Sequence, residues 1–229
     1  MTGFLINHGY RKGGIDKTLF LKENDGKLMI AQIYVDDIVF GGISDEMVQH
    51  FVKQMQSEFE MSLVGELTYF FGLQVKQMED SIFLCQIKYS RSIMKKFGLE
   101  NVSHKITLVP THLKLSKDEK DLSVDQSLYR SMIGNLLYMT TSIPDINFVV
   151  GVCARYQVEP KVSHINQVNR ILKYVNGTSE YGMLCSHDSN SMLVGYCDAG
   201  WDGSVDDRKS TFSGCFFLGN NLISWFKKK

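Results

Sequence analysis

The sequence predicts an α+β fold, with antiparallel strands backed by helices on one face. Three observations lead there. Residues 18–41 are short β-prone runs punctuated by turn signals. Val48, Phe51, Val52, Met55 and Phe59 then recur at helical spacing. After a long helical stretch, the last fifth of the chain returns to strands. Composition agrees: 229 residues, 44% hydrophobic and 22% charged, suffice for one large domain or two small ones with an ordinary core. Lys and Arg (25) balance Asp and Glu (25), which excludes a protein coated in basic charge but not a local basic groove. Five cysteines, at 85, 153, 185, 197 and 215, form no Cys-X-X-Cys pair and read as buried thiols in a reducing compartment, not a disulfide frame or a zinc site. Six scattered histidines suggest no metal cluster. There is no apolar run of membrane-spanning length and no signal-peptide layout, so the expected location is intracellular, cytoplasmic or nuclear, with no membrane partner.

Taken in order, residues 1–9 read as the end of a helix stopped by Gly9. Thr18–Leu21 is a short strand, and Asn24-Asp25-Gly26 turns the chain into a second strand ending at Val35. A third follows, so residues 18–41 make a meander with Asp36 and Asp37 at its second connection. Ser44 is placed to cap the next helix, with Asp45 and Glu46 in the first turn, where the helix dipole favours them. Strands near Thr68–Gln77 and Ile82–Gln86 join through Glu79-Asp80, and a helix from Tyr89 to Phe97 stops at Gly98. Residues 99–124, with Pro110 and a charged stretch from Ser116 to Leu122, read as a linker or a loosely packed connection. Asp125–Asn176 is helical throughout, with Leu128, Met132, Ile133, Leu136 and Leu137 on one face. Pro144-Asp145 and Glu159-Pro160 break it, and Ser163 caps the third helix. Gly182–Ser186, Met192–Asp198, Phe212–Leu218 and Leu222–Trp225 read as strands of a last sheet, with turns at His187–Asn190 and Gly219–Asn221. No helices follow to cover that sheet, so it reads as cut short.

The chemistry gathers at Ile30–Val39, where two apolar runs flank Asp36 and Asp37. Hairpin turns favour Asn-Gly or Asp-Gly. An Asp-Asp pair is poor turn chemistry and adds like-charge repulsion. An exposed acidic turn is the plain reading. A divalent-cation site is the functional one, since Mg²⁺ prefers hard carboxylate oxygens that its charge offsets.

Tyr34-Val35-Asp36-Asp37 matches the Tyr-X-Asp-Asp box of reverse transcriptases, and the chain from Phe4 to Trp225 resembles a copia-type retrotransposon Pol polyprotein. Further matches are Ser62–Gly72, where Phe71 replaces a usual Leu, and Gln86 with Tyr89. Tyr129-Arg130, Leu137-Tyr138, Pro144-Asp145-Ile146, His164, Arg170–Leu172, Gly195–Trp201 and Asp207–Thr211 also match. The resemblance implies a partial polymerase palm over residues 1–98, a linker at 99–124, a helical, thumb-like connection at 125–178 and the start of a ribonuclease H-like domain at 179–229. It implies two-metal, RNA-directed DNA synthesis, with Asp36 and Asp37 holding Mg²⁺ or Mn²⁺ and Tyr34 and Val35 lining the primer-template side. Phe71 and Gly72 would belong to the hairpin that holds the primer. Asp198 would be the first ribonuclease H carboxylate. Lys88 and Arg91, with Lys95 and Lys96, put positive charge on one helix, either a solvated face or a phosphate track. The implied partners are RNA/DNA primer-template, dNTPs and the remaining Pol segments.

The same resemblance places the other palm carboxylate upstream of Phe4 and the later ribonuclease H carboxylates beyond Trp225. Asp16 matches a family position that is not a metal ligand, and His164 reads as structural. The isolated chain is therefore expected to be inactive. The alternative is a non-catalytic remnant that binds nucleic acid weakly or serves as an interaction module.

Overall fold

The computed structural model of the chain describes residues 1–110, 115–117, 120–187, 190–200, 206 and 211–228, with the side chains of residues 199, 200 and 211 left aside. The expected mixture of helices and antiparallel sheets is observed. Two compact units divide at Leu67/Thr68. The residues grouped above as 1–98 therefore fall in both.

The first unit holds α1 (Thr2–Asn7), β1 (Arg11–Lys12), β2 (Leu19–Asn24), β3 (Lys27–Tyr34), β4 (Asp37–Gly42) and α2 (Asp45–Glu58). The strands pair antiparallel in the order β1-β2-β3-β4. The two-residue β1, too short to carry a periodic signal, was not among the expected strands. Asp25 and Gly26 both take positive φ between Asn24 and Lys27, as the turn signal required. Strand alternation sends Phe20, Met29 and Ala31 to one face, where they pack with Leu5 and Tyr10 and with Phe51 and Met55 of α2. Phe51 and Met55 belong to the stripe read from the sequence, and Val48 and Phe59 pack at its margin. Ser44 is the N-cap residue, but its side chain makes no capping hydrogen bond.

The second unit begins with β5 (Tyr69–Phe70), β6 (Leu73–Met78), β7 (Ser81–Cys85) and α3 (Ile87–Lys96). The single strand expected near Thr68–Gln77 is a hairpin instead, because Phe71 and Gly72 both take positive φ and reverse the chain. α4 (Gln126–Met139), α5 (Asn147–Cys153) and α6 (Val162–Gly177) follow, with a 3-10 turn at Pro144–Ile146 before α5. Ile93, Met94, Tyr129, Ile133, Leu136, Val150, Cys153, Val168 and Leu172 form their common core. Leu128 and Leu137, assigned to that face from the sequence, are exposed, and Tyr129 and Met139 take their place.

Two other expectations are corrected in this unit. The N-cap of α6 is Lys161, not Ser163. Lys161 N–H donates to His164 Nδ1 at 3.0 Å, while Ser163 N–H donates to Asp121 Oδ2 at 2.8 Å. β8 (Gly182–Ser186) pairs with β7, completing a sheet in the order β5-β6-β7-β8, and does not join the last sheet. That last sheet is β9 (Leu193–Gly200), β10 (Thr211–Leu218) and β11 (Asn221–Lys228), ordered β11-β10-β9. Trp225 of β11 donates its indole N–H to the Thr140 carbonyl at 2.7 Å at the end of α4, and the Asn221 side chain bonds both backbone groups of Ser186. The stretch read as a linker is also tied in. Leu108 and Leu115 pack on the helical core, and Ser123 bridges to Lys161. Among the described residues, no helix is long and apolar enough to cross a membrane.

Candidate functional site

The β3–β4 hairpin presents the acidic pair. Its register is set by Ala31↔Phe40, Ile33↔Ile38 and Tyr34↔Asp37, leaving Val35 and Asp36 as the two turn residues. Alternation sends Met29, Ala31, Ile33, Ile38 and Phe40 toward α1 and α2. It turns Ile30, Gln32 and Tyr34 to the opposite, open face, with Asp37 across from Tyr34 on the same side. Asp36 sits at the exposed tip, and Asp37 opens β4 and is exposed too. Tyr34 is 52% and Val35 78% exposed. The sequence placed both acids at or beside the connection. The structure puts one in the turn and one on the strand, so the two carboxylates leave the backbone from different positions of the hairpin.

Val35 takes φ +52°. A β-branched residue in the left-handed region is a genuine outlier, because Cβ crowds the following carbonyl. The strands on either side, packed by their inner faces into the first unit's core, fix the register and hold the turn there.

Asp16 lies outside this grouping. Its Oδ1 accepts from the Thr18 N–H at 2.8 Å and from the Thr18 hydroxyl at 2.7 Å, and its Oδ2 accepts from Gln32 Nε2 at 3.0 Å. The Thr18 hydroxyl, and after it the Thr18 N–H, holds the Asp16 carboxyl below its usual range. These bonds make it a brace between the start of β2 and the middle of β3. Among the described residues, no group of three or more His, Cys, Asp or Glu is arranged to hold a metal. Asp36 and Asp37 thus have the right donor atoms for Mg²⁺ or Mn²⁺ but not the number that a pair of ions needs.

The other predicted residues lie in the second unit. Phe71 and Gly72 form the β5–β6 turn at φ +48° and +76°, with Phe71 45% exposed. A Cβ at Gly72 would stand 2.6 Å from the Tyr138 hydroxyl oxygen, so glycine is required there both by φ and by the approach of α4. The Tyr138 ring meets Tyr89 edge-on at 4.8 Å, and the Tyr89 hydroxyl donates to Asn135 Oδ1 at 3.1 Å. Burial raises both phenols. Lys88 Nζ lies 5.7 Å from the centre of the Tyr69 ring on the same hairpin, and its backbone N–H donates to Gln74 Oε1. Arg91 is exposed one turn further along α3. Tyr69 and Lys88 line a cleft of about 570 Å³ with Thr68, Gln74, Lys76 and Phe83. The structure thus brings the hairpin and Lys88 together. It also adds Tyr69 and Tyr138, which are not among the predicted site residues. Tyr138 is 66 residues from Gly72 in the chain, and no local pattern marks the contact.

Asp198 is exposed on β9, opposite Ser213 of β10. Trp201 and Asp207–Ser210, the rest of that expected motif, lie outside the described residues, as does Lys229. His164 is fully buried. Its Nδ1 accepts from Lys161 N–H and its Nε2–H donates to the Ser116 carbonyl at 2.8 Å, fixing one neutral tautomer for a structural role.

Comparison with known proteins agrees with the resemblance seen in the sequence. Residues 1–111 match the family described as reverse transcriptase (RNA-dependent DNA polymerase). An uncharacterized mitochondrial protein of Arabidopsis thaliana is 33% identical over 201 residues, covering 88% of this chain and 83% of its own length. The retrovirus-related Pol polyprotein from transposon RE2 of the same plant is 27% identical over 226 residues, 99% of this chain. Its counterpart from transposon TNT 1-94 of Nicotiana tabacum is 29% identical over 235 residues, 98% of this chain. The chain spans only 16% and 18%, respectively, of those two polyproteins. No solved structure matches. With the Tyr-X-Asp-Asp hairpin in place and the Pol polyproteins aligned along nearly its whole length, this chain belongs to the reverse transcriptase family, in the form found in copia-type retrotransposons.

Proposed function

We propose that this chain supplies one part of a reverse transcriptase active site, contributing Asp36 and Asp37 to RNA-directed DNA synthesis by a larger Pol protein. One observation carries the reading: Tyr34-Val35-Asp36-Asp37 occupies an exposed, two-residue hairpin whose flanking strands are anchored in the first unit's core. Hard carboxylate oxygens at such a tip suit Mg²⁺ or Mn²⁺. The described residues by themselves do not fit a two-ion site, so the reading needs at least one more carboxylate from outside them.

Within the same reading, the first unit and the β5–β6 hairpin correspond to parts of a polymerase palm, α4 to α6 to the connection, and β9 to β11 to the opening sheet of a ribonuclease H-like domain. Tyr34 and Val35 face the primer-template, and Phe71 and Gly72 hold the primer strand. Lys88 and Arg91 meet its phosphates. Asp198 is the first ribonuclease H carboxylate. A folded segment that binds nucleic acid without turning it over is the second reading, favoured by the acidic pair having no third acid among the described residues.

Primer extension separates the two. Purified chain with primer-template, dNTPs and Mg²⁺ or Mn²⁺ is expected to give no product. A chain lengthened at its N-terminus with the corresponding polyprotein segment is expected to extend the primer, and Asp36→Ala in that protein to abolish extension. Extension that survives Asp36→Ala would overturn the assignment.

A further inference from the structure

We propose that α6 and the segment Lys105–Pro110 form a second nucleic-acid contact, a groove that takes a phosphodiester backbone. It goes beyond the Asp36–Asp37 reading and stands or falls separately from it.

The groove encloses about 420 Å³ along one side of α6. Its lining carries three cations, Lys105, Arg170 and Lys173, with Ser163, Asn166 and Gln167, and among the described residues it includes no carboxylate. The opposite wall is fastened to the helix. Gln167, 3% exposed, donates from Nε2 to the Leu108 carbonyl at 2.7 Å, and Arg170 donates from Nε to the Thr107 carbonyl at 3.0 Å and from Nη2 to the Thr107 hydroxyl. Lys105 N–H donates to the Lys173 carbonyl at 3.3 Å. These bonds bring Lys105 beside α6, where Arg170 and Lys173 already stand three residues apart on one face. Like charges at that spacing repel, so the arrangement costs free energy until an anion arrives. Among the described residues, Asp121 is the acid bonded to the groove lining, and its carboxylate is occupied by the N–H groups of Ser163 and Leu122.

The groove's length argues for a polymer over a lone phosphate. Ser163, Asn166, Arg170 and Lys173 run along α6 over ten helical rises, about 15 Å at about 1.5 Å each. That is roughly four base steps at about 3.4 Å per step. Hydroxyl, amide, guanidinium and ammonium donors are the groups that fix a backbone without reading its sequence.

The test is binding of a fluorescently labelled RNA–DNA hybrid to the full chain by anisotropy, between about 50 and about 200 mM salt. Lys105→Gln with Lys173→Gln is expected to weaken binding whatever the sequence. It should also lower the slope of log affinity against log salt by about two, one per lost phosphate contact. Lys27→Gln with Lys53→Gln removes the same charge from exposed positions in the other unit and should leave the slope unchanged. Arg170 is left in place because it also holds Thr107. If the double variant does not fold, Lys105→Gln alone carries the test with a slope change of about one. Any of three results would overturn the proposal: no binding by the wild-type chain at the lowest salt, an equal slope change in both double variants, or displacement of the hybrid by inorganic phosphate at matched ionic strength.

Discussion

Replacing Val35 with glycine should make the first unit more stable, although it removes a side chain. Val35 stands at φ +52°, where an L-residue loses about 1–2 kcal/mol relative to its preferred regions. Glycine carries no such cost but has more freedom to lose on folding, about 0.4–1 kcal/mol. The Val35 side chain is 78% exposed, so little apolar burial is forfeited. The balance is a net gain of about 0.5–1 kcal/mol. In urea, Val35→Gly should raise the unfolding midpoint with the slope unchanged, since the surface exposed on unfolding is the same. Val35→Asn should gain too, because its side chain tolerates this region. Val35→Ala should not, because it keeps Cβ and loses only exposed methyl groups. A lower midpoint for Val35→Gly would mean that the hairpin does not hold this residue at positive φ, and the turn geometry argued here would fail.

Gly72→Ala should destabilise the second unit by about 2 kcal/mol in chemical unfolding, from positive φ together with a Cβ forced against Tyr138. Tyr138→Phe in the same chain should recover part of the loss. Phe71→Asn should stabilise the same turn by about 0.5 kcal/mol, since Asn-Gly suits two successive positive φ values, and thermal unfolding would show it. Asp125→Ala should cost about 1 kcal/mol, because Asp125 Oδ1 caps α4 by accepting from the Leu128 N–H at 2.8 Å. The pH profile should carry the mark of His164, whose pKa burial lowers from the ordinary 6.5. In the window below about 6.5 the unfolded chain takes up the proton that the folded chain refuses, so stability is retained above that pH and falls as pH drops through it. Urea midpoints between pH 7.5 and 5 would trace this, and the decline should flatten in His164→Gln.

Much of the local architecture was legible because it rests on local physics. Asn24-Asp25-Gly26 announced a turn needing positive φ, and the stripe Val48, Phe51, Val52, Met55, Phe59 announced which side of α2 is covered. What stayed hidden is non-local. Nothing in Gly182–Ser186 says that its partner is Ser81–Cys85, about a hundred residues earlier, in preference to the strands that follow it. The segment 99–124 reads as a tether until Arg170 and Gln167 of α6 are seen holding Thr107 and Leu108. Leu128 and Leu137 satisfy the helical period as well as Tyr129 and Met139 do, and only the neighbouring helices decide which pair is covered.

The candidate site divides along the same line. Tyr34-Val35-Asp36-Asp37 is four consecutive residues at one hairpin connection, so the chain itself keeps the two acids side by side in sequence, and the sequence alone suffices to find them. A metal site differs in kind, because its ligands must converge from separate strands. Asp16 shows how little proximity to the sheet guarantees. It stands beside Gln32 in the middle of β3, yet its oxygens accept from Thr18 and Gln32, and a carboxylate occupied in that way has no reason to turn toward a cation. Asp36 and Asp37, exposed at the tip, have no comparable assignment within the first unit's core. That contrast, one acid used by the fold and two exposed on the hairpin, is the physical ground for proposing the chemistry at the hairpin. It also makes Asp16→Asn the natural control for Asp36→Ala. The first should cost stability and spare primer extension by the lengthened protein, and the second should do the reverse.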